Sequence, residues 1–446
     1  MRQVCRTYST ALTSLALVSF LSLTKVSNLW PWRASIRVSN DEVTWLDTPN
    51  STTVRDERYD DSEKLKKHES TLAMARALIR EATLGHNCNS SARDENDLDV
   101  PHGDIYWNPC AFRRSYLLME KLFKIFVYQD GEPPLFHNGP CKYLFSMEGL
   151  FFTFMETNTQ FRTYDPDEAQ VYFLPFSITI IRTLLYDQIN KDKGCFKHII
   201  VDYIRTISHK YPFWNRNHGA DHFMLSCHNW APWVTWYVPE LFHNSIRVLC
   251  NANTSERFNP KKDASFPEIN LKKGEIKGLT GGLPLANRTI LAFFAGQLHG
   301  KIRPILFEHW KQKDRDVQVY DKLPEGLDYD EMMKKSKFCI CPSGHEVASP
   351  RVVEAIYAEC IPVLISQNYI IPFSDVLKWD SFSIQVSINE LPNLKKILLE
   401  IPQHRYLKMQ ERVKQVQHHF VINDPPKRLD VFHMILHSIW LRRLNV

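Results

Sequence analysis

The sequence has no run of five or more lysines and arginines, although its formal net charge is +5. Nucleic-acid-binding surfaces need clustered basic side chains, so this even spread argues against a nucleic acid partner. The composition, with 44% hydrophobic and 24% charged residues, is typical of globular proteins. At 446 residues the chain is too long for one ordinary domain, and its length favours about two or three.

A cleavage site for signal peptidase is also lacking. Eighteen uncharged residues with an apolar centre lie between Arg6 and Lys25, and a membrane span needs about 17–25 residues. Because no small-x-small pattern follows Leu23, we expect an uncleaved signal anchor over residues 7–24, with residues 1–6 as a cytosolic tail. A cleaved signal peptide is the alternative. Either interpretation places the remaining chain in the secretory pathway.

Cysteine is not scarce: nine of the ten cysteines follow the apolar segment. Such a number is typical of proteins in an oxidising compartment, and the odd count implies at least one unpaired thiol. Asn-x-Ser/Thr triplets, which accept N-linked glycans, support the same compartment. The predicted glycosylation sites are Asn50, Asn89, Asn253 and Asn287.

Residues 25–115 are rich in polar residues and poor in apolar periodicity. Within them, residues 62–84 carry apolar side chains near helical spacing and are predicted to form a helix. We interpret the whole region as a lumenal stem that holds the globular part away from the membrane. A small extra domain is the alternative.

From residue 116 onwards, short apolar strands alternate with helical stretches, which predicts an α/β fold with mainly parallel sheets. A polar, glycine-containing stretch at 251–284 separates two Rossmann-like domains, 116–284 and 285–420. Residues 421–446 are expected to form a C-terminal helix. The predicted strands are 123–128, 171–174, 221–227, 246–250, 289–295, 317–320, 337–341, 361–365 and 381–386.

The segment 337–366 carries the clearest candidate site. A buried strand runs into Ser343 and Gly344, whose small size lets a ligand approach the backbone. Ser349 is a good N-cap and Pro350 fits the first helical position, so a helix is predicted to begin here. Its free N–H groups form an anion site suited to a diphosphate, at the carboxyl end of a parallel strand, where ligands bind in such sheets.

Two charged residues of that predicted helix extend the candidate site. Arg351 adds a positive charge in the first turn, beside the predicted anion. Glu354, one turn further on, can accept hydrogen bonds from two ribose hydroxyls. The alternative is an ordinary βαβ unit with a surface ion pair.

The segment 337–366 and residues 293–304 resemble the exostosin-like family, glycosyltransferase family 47, particularly its plant members. The resemblance extends to residues 123–128, 165–176 and 219–228. All these segments occur along the chain in the same order as in the family. The resemblance implies a GT-B fold, in which two Rossmann-like domains face each other across a cleft, on a type II Golgi anchor with the catalytic part lumenal. It also implies sugar transfer from a nucleotide sugar, which we expect to be UDP-linked, to a polysaccharide or glycan in cell-wall biosynthesis.

Further site residues follow from the resemblance. Arg303, which opens a helix after the Ala295-Gly296 turn, resembles the basic diphosphate ligand of GT-B enzymes, although a solvated arginine fits the spacing equally well. An inverting transfer needs a base for the acceptor proton, and Asp221 and His222 are the candidates. A structural hydrogen bond is the alternative for both. Two roles are open for a group of tryptophans: they form a wall on which sugars stack, or they pack in the core. The group is Trp214, Trp230, Trp233 and Trp236.

A metal-dependent transferase would carry an Asp-x-Asp pair just after a buried strand. Four such pairs occur and none has that placement, so we expect metal-independent transfer without a cofactor. The alternative to an enzyme is a catalytically silent GT-B partner of another Golgi transferase. The four pairs are Asp97/Asp99, Asp165/Asp167, Asp314/Asp316 and Asp328/Asp330.

Cys339 and Cys341 alternate onto one face of the same predicted strand. They lie too close to form a disulfide with each other. No second pair completes a zinc site. Both are therefore expected to be buried thiols.

Overall fold

The computed structural model describes residues 53–84 and 103–445. The chain divides into two compact units, one ending at Met74 and one beginning at Ala75. The helix predicted at 62–84 is present and begins earlier, as α1 (Thr53–Leu84). No helix within the described ranges is long and apolar enough to span a bilayer. Outside these ranges lie the predicted tail and anchor, Asn50, Asn89, Asp97 and Asp99.

The first half of the globular part is built on six parallel strands in the order β2-β1-β3-β4-β5-β6. Every strand residue is buried, as expected for a parallel sheet covered by helices on both faces. β2 and β6 were not predicted, because each contains only two residues. The strands are β1 (Ile125–Val127), β2 (Arg162–Thr163), β3 (Val171–Phe173), β4 (His222–Ser226), β5 (Ile246–Leu249) and β6 (Ala264–Ser265).

Within residues 103–445, seven helices accompany this sheet. One long helix was predicted at 178–209, but a turn at residues 186–193 divides it. Asp187 accepts a hydrogen bond of 2.8 Å from the backbone N–H of Ile189 there, a local bond that competes with helix formation. The helices are α2 (Pro109–Leu122), α3 (Ser146–Thr157), α4 (Ile178–Leu185), α5 (Gly194–Lys210), α6 (Phe213–Arg216), α7 (Ala231–Thr235) and α8 (Pro239–His243).

The second half contains five parallel strands in the order β11-β10-β9-β7-β8. The α/β fold with two parallel sheets is therefore confirmed. The strands are β7 (Ile290–Ala295), β8 (Val317–Tyr320), β9 (Ser336–Pro342), β10 (Ile361–Ile365) and β11 (Ile384–Gln385). The helices are α9 (Ile302–Trp310), α10 (Tyr329–Lys335), α11 (Arg351–Tyr357), α12 (Leu394–Leu399), α13 (Gln403–Val416) and α14 (Val431–Asn445).

The C-terminal helix α14 returns to the first sheet, where it packs against β5, β6 and α2. The rings of Phe123 and Trp440 lie 5.4 Å apart, and Arg442 Nε donates a 2.7 Å hydrogen bond to the Asp263 carbonyl. The predicted end of the stem, residue 115, falls within α2. Because α2 is packed on α14, the globular part begins before that boundary.

The predicted linker 251–284 is only partly a linker. Residues 263–269 are buried, and β6 within them completes the first sheet. Ser265 Oγ also donates a 2.7 Å hydrogen bond to the carbonyl of Ile370, from the second half of the chain. The exposed glycine-containing part that follows is the shorter connection between the two sheets.

The carboxyl ends of both sheets meet at one place. The backbone N–H of Val347, in the loop after β9, donates a 3.0 Å hydrogen bond to Oδ1 of Asn251, which follows β5. Since both residues lie beyond the carboxyl ends of their strands, these two edges face each other. The arrangement is a cleft of the kind that binds ligands in open α/β sheets.

Two disulfides connect neighbouring strands, one in each sheet. Cys227–Cys250 joins the ends of β4 and β5, and Cys339–Cys360 joins β9 to the residue before β10. The prediction of a thiol at Cys339 is therefore wrong, because packing against β10 brings Cys360 to it. Cys341 is a buried thiol, as predicted, and burial raises its pKa to about 12.

Candidate active site

Two arginines converge on the ring of Phe294 at the end of β7. Cζ of Arg351 lies 4.5 Å from the ring centroid and Cζ of Arg303 lies 5.6 Å from it. Arg351 donates to the Ala295 carbonyl at 2.8 Å, and Arg303 donates to the Gln297 carbonyl at 3.0 Å. The Nε of each has no hydrogen-bond partner among the described residues. Burial and the neighbouring charge of Arg351 lower the pKa of Arg303 to about 10, so an anion placed here would relieve the repulsion between two cations.

Glycines give these guanidinium groups their space. A Cβ at Gly296 would lie 2.8 Å from Nη2 of Arg351, and a Cβ at Gly344 would lie 3.2 Å from Nη2 of Arg303. Gly300 has φ +68°, and a Cβ there would overlap the Gly344 carbonyl. The loops after β7 and β9 therefore pack backbone to backbone beside the arginine pair. The predicted residues Gly296, Arg303, Gly344 and Arg351 lie together.

The two predicted serines, Ser343 and Ser349, differ from the glycines and arginines in that neither is seen, among the described residues, to contact the arginine pair. Ser343 Oγ donates a 2.9 Å hydrogen bond to the Val347 carbonyl and so shapes the loop. Ser349 was predicted to cap a helix that begins at Pro350. Instead α11 begins at Arg351, with Pro350 as the N-cap residue and no side-chain cap. This prediction is wrong by one residue, and the short helix leaves the arginines as the main positive charges.

Glu354 lies one turn into α11, half-buried at the side of the arginine pair. Its Oε2 accepts a 2.9 Å hydrogen bond from the hydroxyl of Tyr329, which leaves its other oxygen free to accept from a ligand. It lines a cavity of about 240 Å³ between α10, α11 and residues 269–279. Lys272, Lys277 and Lys334 line the same cavity.

Asp221 and His222, predicted as possible bases, lie at the amino end of β4. Both are completely buried. Asp221 accepts 2.8 Å hydrogen bonds from Arg216 and His222, and His222 Nε2 lies 2.8 Å from the Tyr128 hydroxyl. The cleft lies at the opposite, carboxyl edge of the sheet. We therefore replace the catalytic prediction with its structural alternative, a hydrogen-bonded core network.

Two carboxyl groups that the sequence prediction omitted belong to residues just beyond the carboxyl ends of β6 and β9, at the edge where the cleft lies. Glu268, just after β6, is 4% exposed, and burial, Glu346 and Glu354 raise its pKa well above the usual range. Burial and the neighbouring Glu256 raise the pKa of Glu346 to about 7. The only sequence signal was the position of Glu346 in the loop that contains Gly344. The burial of Glu268 left no pattern in the sequence.

Residues 119–401 match the family described as the exostosin GT47 domain. The chain belongs to the exostosin GT47 family. Two proteins of Arabidopsis thaliana, each named a probable glycosyltransferase, are 62% and 55% identical to it. The alignments cover 85% and 86% of this chain, and 81% and 73% of the relatives. Family membership makes this chain a glycosyltransferase, as its resemblance implied.

More distant matches include a probable glucuronosyltransferase of Oryza sativa subsp. japonica. It is 26% identical, with 83% of this chain and 91% of the relative covered. Among solved structures, the crystal structure of TarM matches with a TM-score of 0.27 and 10% sequence identity. That match covers 69% of this chain and 54% of TarM.

Two of the four aspartate pairs of this GT47 chain have structural partners. Asp314 and Asp316 each lie 2.8 Å from Nζ of Lys395, and Asp328 caps α10 by accepting a 2.9 Å hydrogen bond from a backbone N–H. The described side chains contain no group of three or more His, Cys, Asp or Glu able to hold a metal ion. Metal-independent transfer stays a prediction.

Glu148, also absent from the sequence prediction, joins the carboxyl ends of β3 and β4. It is completely buried and accepts hydrogen bonds from the hydroxyls of Ser177, Thr179 and Ser226 and from the Cys227 backbone. Burial raises its pKa. The sequence signal was an acidic residue in the first turn of the otherwise apolar helix α3. Its contacts indicate that it fixes the floor of the cleft.

The structure bears on two surface predictions, the glycosylation sites and the tryptophan wall. Asn253 is only 9% exposed, and it pairs with Tyr369 between the two sheets, so a glycan cannot occupy it in the folded chain. Asn287 is exposed and remains a candidate. The four tryptophans do not form one wall, because Trp214 is buried in the core whereas Trp236 is 48% exposed.

Proposed function

We propose that this glycosyltransferase moves a sugar from a UDP-sugar to a hydroxyl group of a polysaccharide or glycan acceptor. The observation that carries the proposal is the arginine pair Arg303 and Arg351, which keeps unused donors at the carboxyl ends of two parallel strands. Gly296 and Gly344 open the backbone beside it. Two adjacent cations in a partly buried site suit a diphosphate, whose oxygens accept forked hydrogen bonds from guanidinium groups.

The same geometry supports the chemistry of transfer. As the bond between the anomeric carbon and the phosphate oxygen breaks, negative charge grows on the leaving diphosphate. Preorganised donors stabilise such developing charge most effectively where water is excluded, and Arg303 and Arg351 are held by the Gln297 and Ala295 carbonyls before any ligand arrives. Glu354 is placed to accept from the ribose hydroxyls. The two facing sheets favour a GT-B arrangement, with the acceptor bound on the first sheet.

We further propose that the enzyme works in the Golgi lumen on a type II signal anchor and serves cell-wall polysaccharide synthesis, in contact with other transferases. The uncharged segment 7–24 supports the anchor. The disulfides Cys227–Cys250 and Cys339–Cys360 support an oxidising compartment. The cell-wall role is supported by similarity to plant glycosyltransferases.

Calorimetric titration with UDP tests the donor site. Glu354→Ala removes a carboxylate that accepts ribose hydrogen bonds, each worth about 1.5–3 kcal/mol to a charged group, so affinity should fall by about 10- to 100-fold. Glu325→Ala removes an exposed glutamate from the turn before α10; it is the matched control and should bind like the wild type. Equal affinities in both variants would remove Glu354 from the donor site.

A panel of UDP-sugars identifies the donor. Hydrolysis of each sugar by the full chain is measured with and without EDTA, and UDP-glucuronic acid is included because of the rice relatives' names. Loss of hydrolysis in EDTA would contradict metal-independent transfer. Failure of the wild-type chain to bind UDP would overturn the proposed function itself.

A further inference from the structure

Four glutamates are electrostatically coupled along the cleft. Glu354 and Glu346 each raise the pKa of Glu268, and Glu256 raises that of Glu346. They come from different elements: Glu354 from α11, Glu346 from the loop after β9, Glu268 from the segment after β6 and Glu256 from the turn after β5. Placing carboxyl groups of like charge close together costs free energy. We therefore expect these glutamates to serve function rather than stability.

Glu268 shows that the row is more than a solvated acidic surface. Its side chain is 96% buried, since 4% is exposed, and burial and the two neighbouring glutamates account for its raised pKa, without any hydrogen bond. Among the described residues it has no hydrogen-bond or ion-pair partner. Buried polar groups are normally paired, and an unpaired one facing a cleft marks the place of a ligand group.

Glu346 lies between the two halves of the site. Two residues before it, Gly344 contacts Arg303, and one residue after it, the Val347 backbone is bonded to Asn251 of the first half. No side-chain hydrogen bond to the Glu346 carboxylate occurs among the described residues. Glu346 therefore lies in the loop that connects the proposed diphosphate site to the first half of the chain, the side from which an acceptor would enter.

The other candidate residues in the first half of the globular part are unsuited to act as the general base. Asp221 and His222 are enclosed at the wrong edge of the sheet. His228 follows β4 at the cleft edge, but its Nδ1 accepts a 3.1 Å hydrogen bond from the Trp230 backbone N–H. Nε2 of the neutral ring then carries the proton, so this histidine can donate to a substrate oxygen but cannot accept a proton from it.

We propose that Glu346 is the general base of the transfer, and that Glu268 is a neutral carboxylic acid that binds a hydroxyl group of the substrate beside it. This proposal rests on the proposed function. The acceptor oxygen forms a bond to the anomeric carbon while the bond from that carbon to the diphosphate breaks. The electron pair of the broken bond passes to the diphosphate at the arginine pair, and the acceptor proton passes to a Glu346 oxygen.

The charged surroundings suit this division of roles. Glu256 raises the pKa of Glu346, Glu346 in turn raises that of Glu268, and the ring of the adjacent His345 packs on that of His299. A general base works best when its pKa is close to the working pH, and Glu346 at about 7 meets that condition. Burial without a partner favours the neutral form of Glu268, which can donate to a sugar oxygen.

The test uses the full chain and whichever UDP-sugar the wild type hydrolyses, with water or a saccharide as acceptor. Glu346→Gln should lower kcat by about 100-fold or more, the lower range for loss of a general base, and should keep UDP affinity within about threefold. The acidic limb of the pH profile of kcat/KM, near pH 7 in the wild type, should disappear. Glu325→Gln is the surface control for the same chemical change.

Glu256→Gln supplies a second readout that a structural role would not produce. It removes the like charge that raises the pKa of Glu346, so the acidic limb should move to lower pH. An unmoved limb, or a Glu346→Gln variant that retains the wild-type rate, would overturn the inference and leave the proposed function intact. A wild type that binds no UDP would overturn both.

Discussion

At the scale of single residues, the site depends on where side chains are absent as much as on where they are present. Gly296 is required because the guanidinium of Arg351 occupies the volume of its missing Cβ. Its backbone is not in the left-handed region, so alanine fits the conformation but not the space. The sequence placed Gly296 and Arg351 in two separate motifs, and only the pairing of β7 with β9 explains why they occur together.

Gly296→Ala should therefore weaken UDP binding without unfolding the chain. The new methyl group displaces Arg351 by contact, and a tenfold loss of affinity, about 1.4 kcal/mol, is the expected size. Calorimetry measures the affinity and thermal unfolding measures the stability. Gly194→Ala, at a helix start where a Cβ would meet only the exposed Asp192 side chain, is the control and should bind normally. Normal binding by Gly296→Ala would contradict the position of Arg351.

The glutamates near the proposed transfer point also predict donor selectivity. Glu346, the proposed charged base, would lie beside the transferred sugar, where a uronate carboxylate would add a second negative charge. We expect neutral UDP-sugars to be hydrolysed at least about tenfold faster than UDP-glucuronic acid, because a nearby like charge costs on the order of 1 kcal/mol or more even when partly screened. The donor panel measures this ratio directly. Preference for UDP-glucuronic acid would contradict it.

At the scale of elements, strands were easier to predict than the contacts between them. β8 and β10 have the predicted bounds, because each is a short stretch rich in β-branched residues between polar or turn-forming residues. β2 and β6 contain two residues each. They are strands only because they pair with β1 and β5, respectively. The catalytic prediction for Asp221 and His222 failed for the same reason: the sequence shows that they begin a strand but not that this edge is enclosed.

The contact of α14 with α2 predicts a dependence of stability on pH. His433 Nδ1 lies 2.6 Å from the Tyr116 hydroxyl and His437 Nε2 lies 2.9 Å from Ser115 Oγ. Burial, with Arg428 as a second cause, lowers the pKa of His433 to about 4, and burial, with Arg442, lowers that of His437 to about 3. In the unfolded chain both titrate near 6.5, so acid protonates the unfolded state first and stability falls as pH drops below about 6.5.

Urea unfolding at pH 7.5 and pH 5 measures this loss, which should reach about 2 kcal/mol per histidine between those two conditions. His437→Gln keeps a polar group opposite Ser115 but does not titrate. The variant should be less stable than the wild type at pH 7.5 and should lose less on acidification. Equal losses in the two chains would show that His437 does not couple folding to protons.

At the scale of the whole molecule, location in the secretory pathway can be tested by glycosylation. Asn287 is exposed and Asn253 is buried between the sheets, although both have the same sequence signal. In a chain expressed in secretory cells, Asn287→Gln should remove one endoglycosidase-sensitive gel shift and Asn253→Gln should remove none. Absence of any shift at Asn287 would argue against lumenal exposure of the domain. Sequence could not distinguish the two asparagines, because burial at a domain contact leaves no local pattern.

The return of α14 to the first sheet has a consequence for how the molecule can be divided. The chain leaves the first domain after β6, builds the second and comes back, so the second domain is topologically an insertion with two covalent connections to its host. A truncated chain ending at residue 420 would not be two intact domains minus a tail, since it would uncover the face beside β5 and β6. New termini for a circular permutant belong instead in the exposed part of the connection, near Gly278, where added atoms would meet nothing.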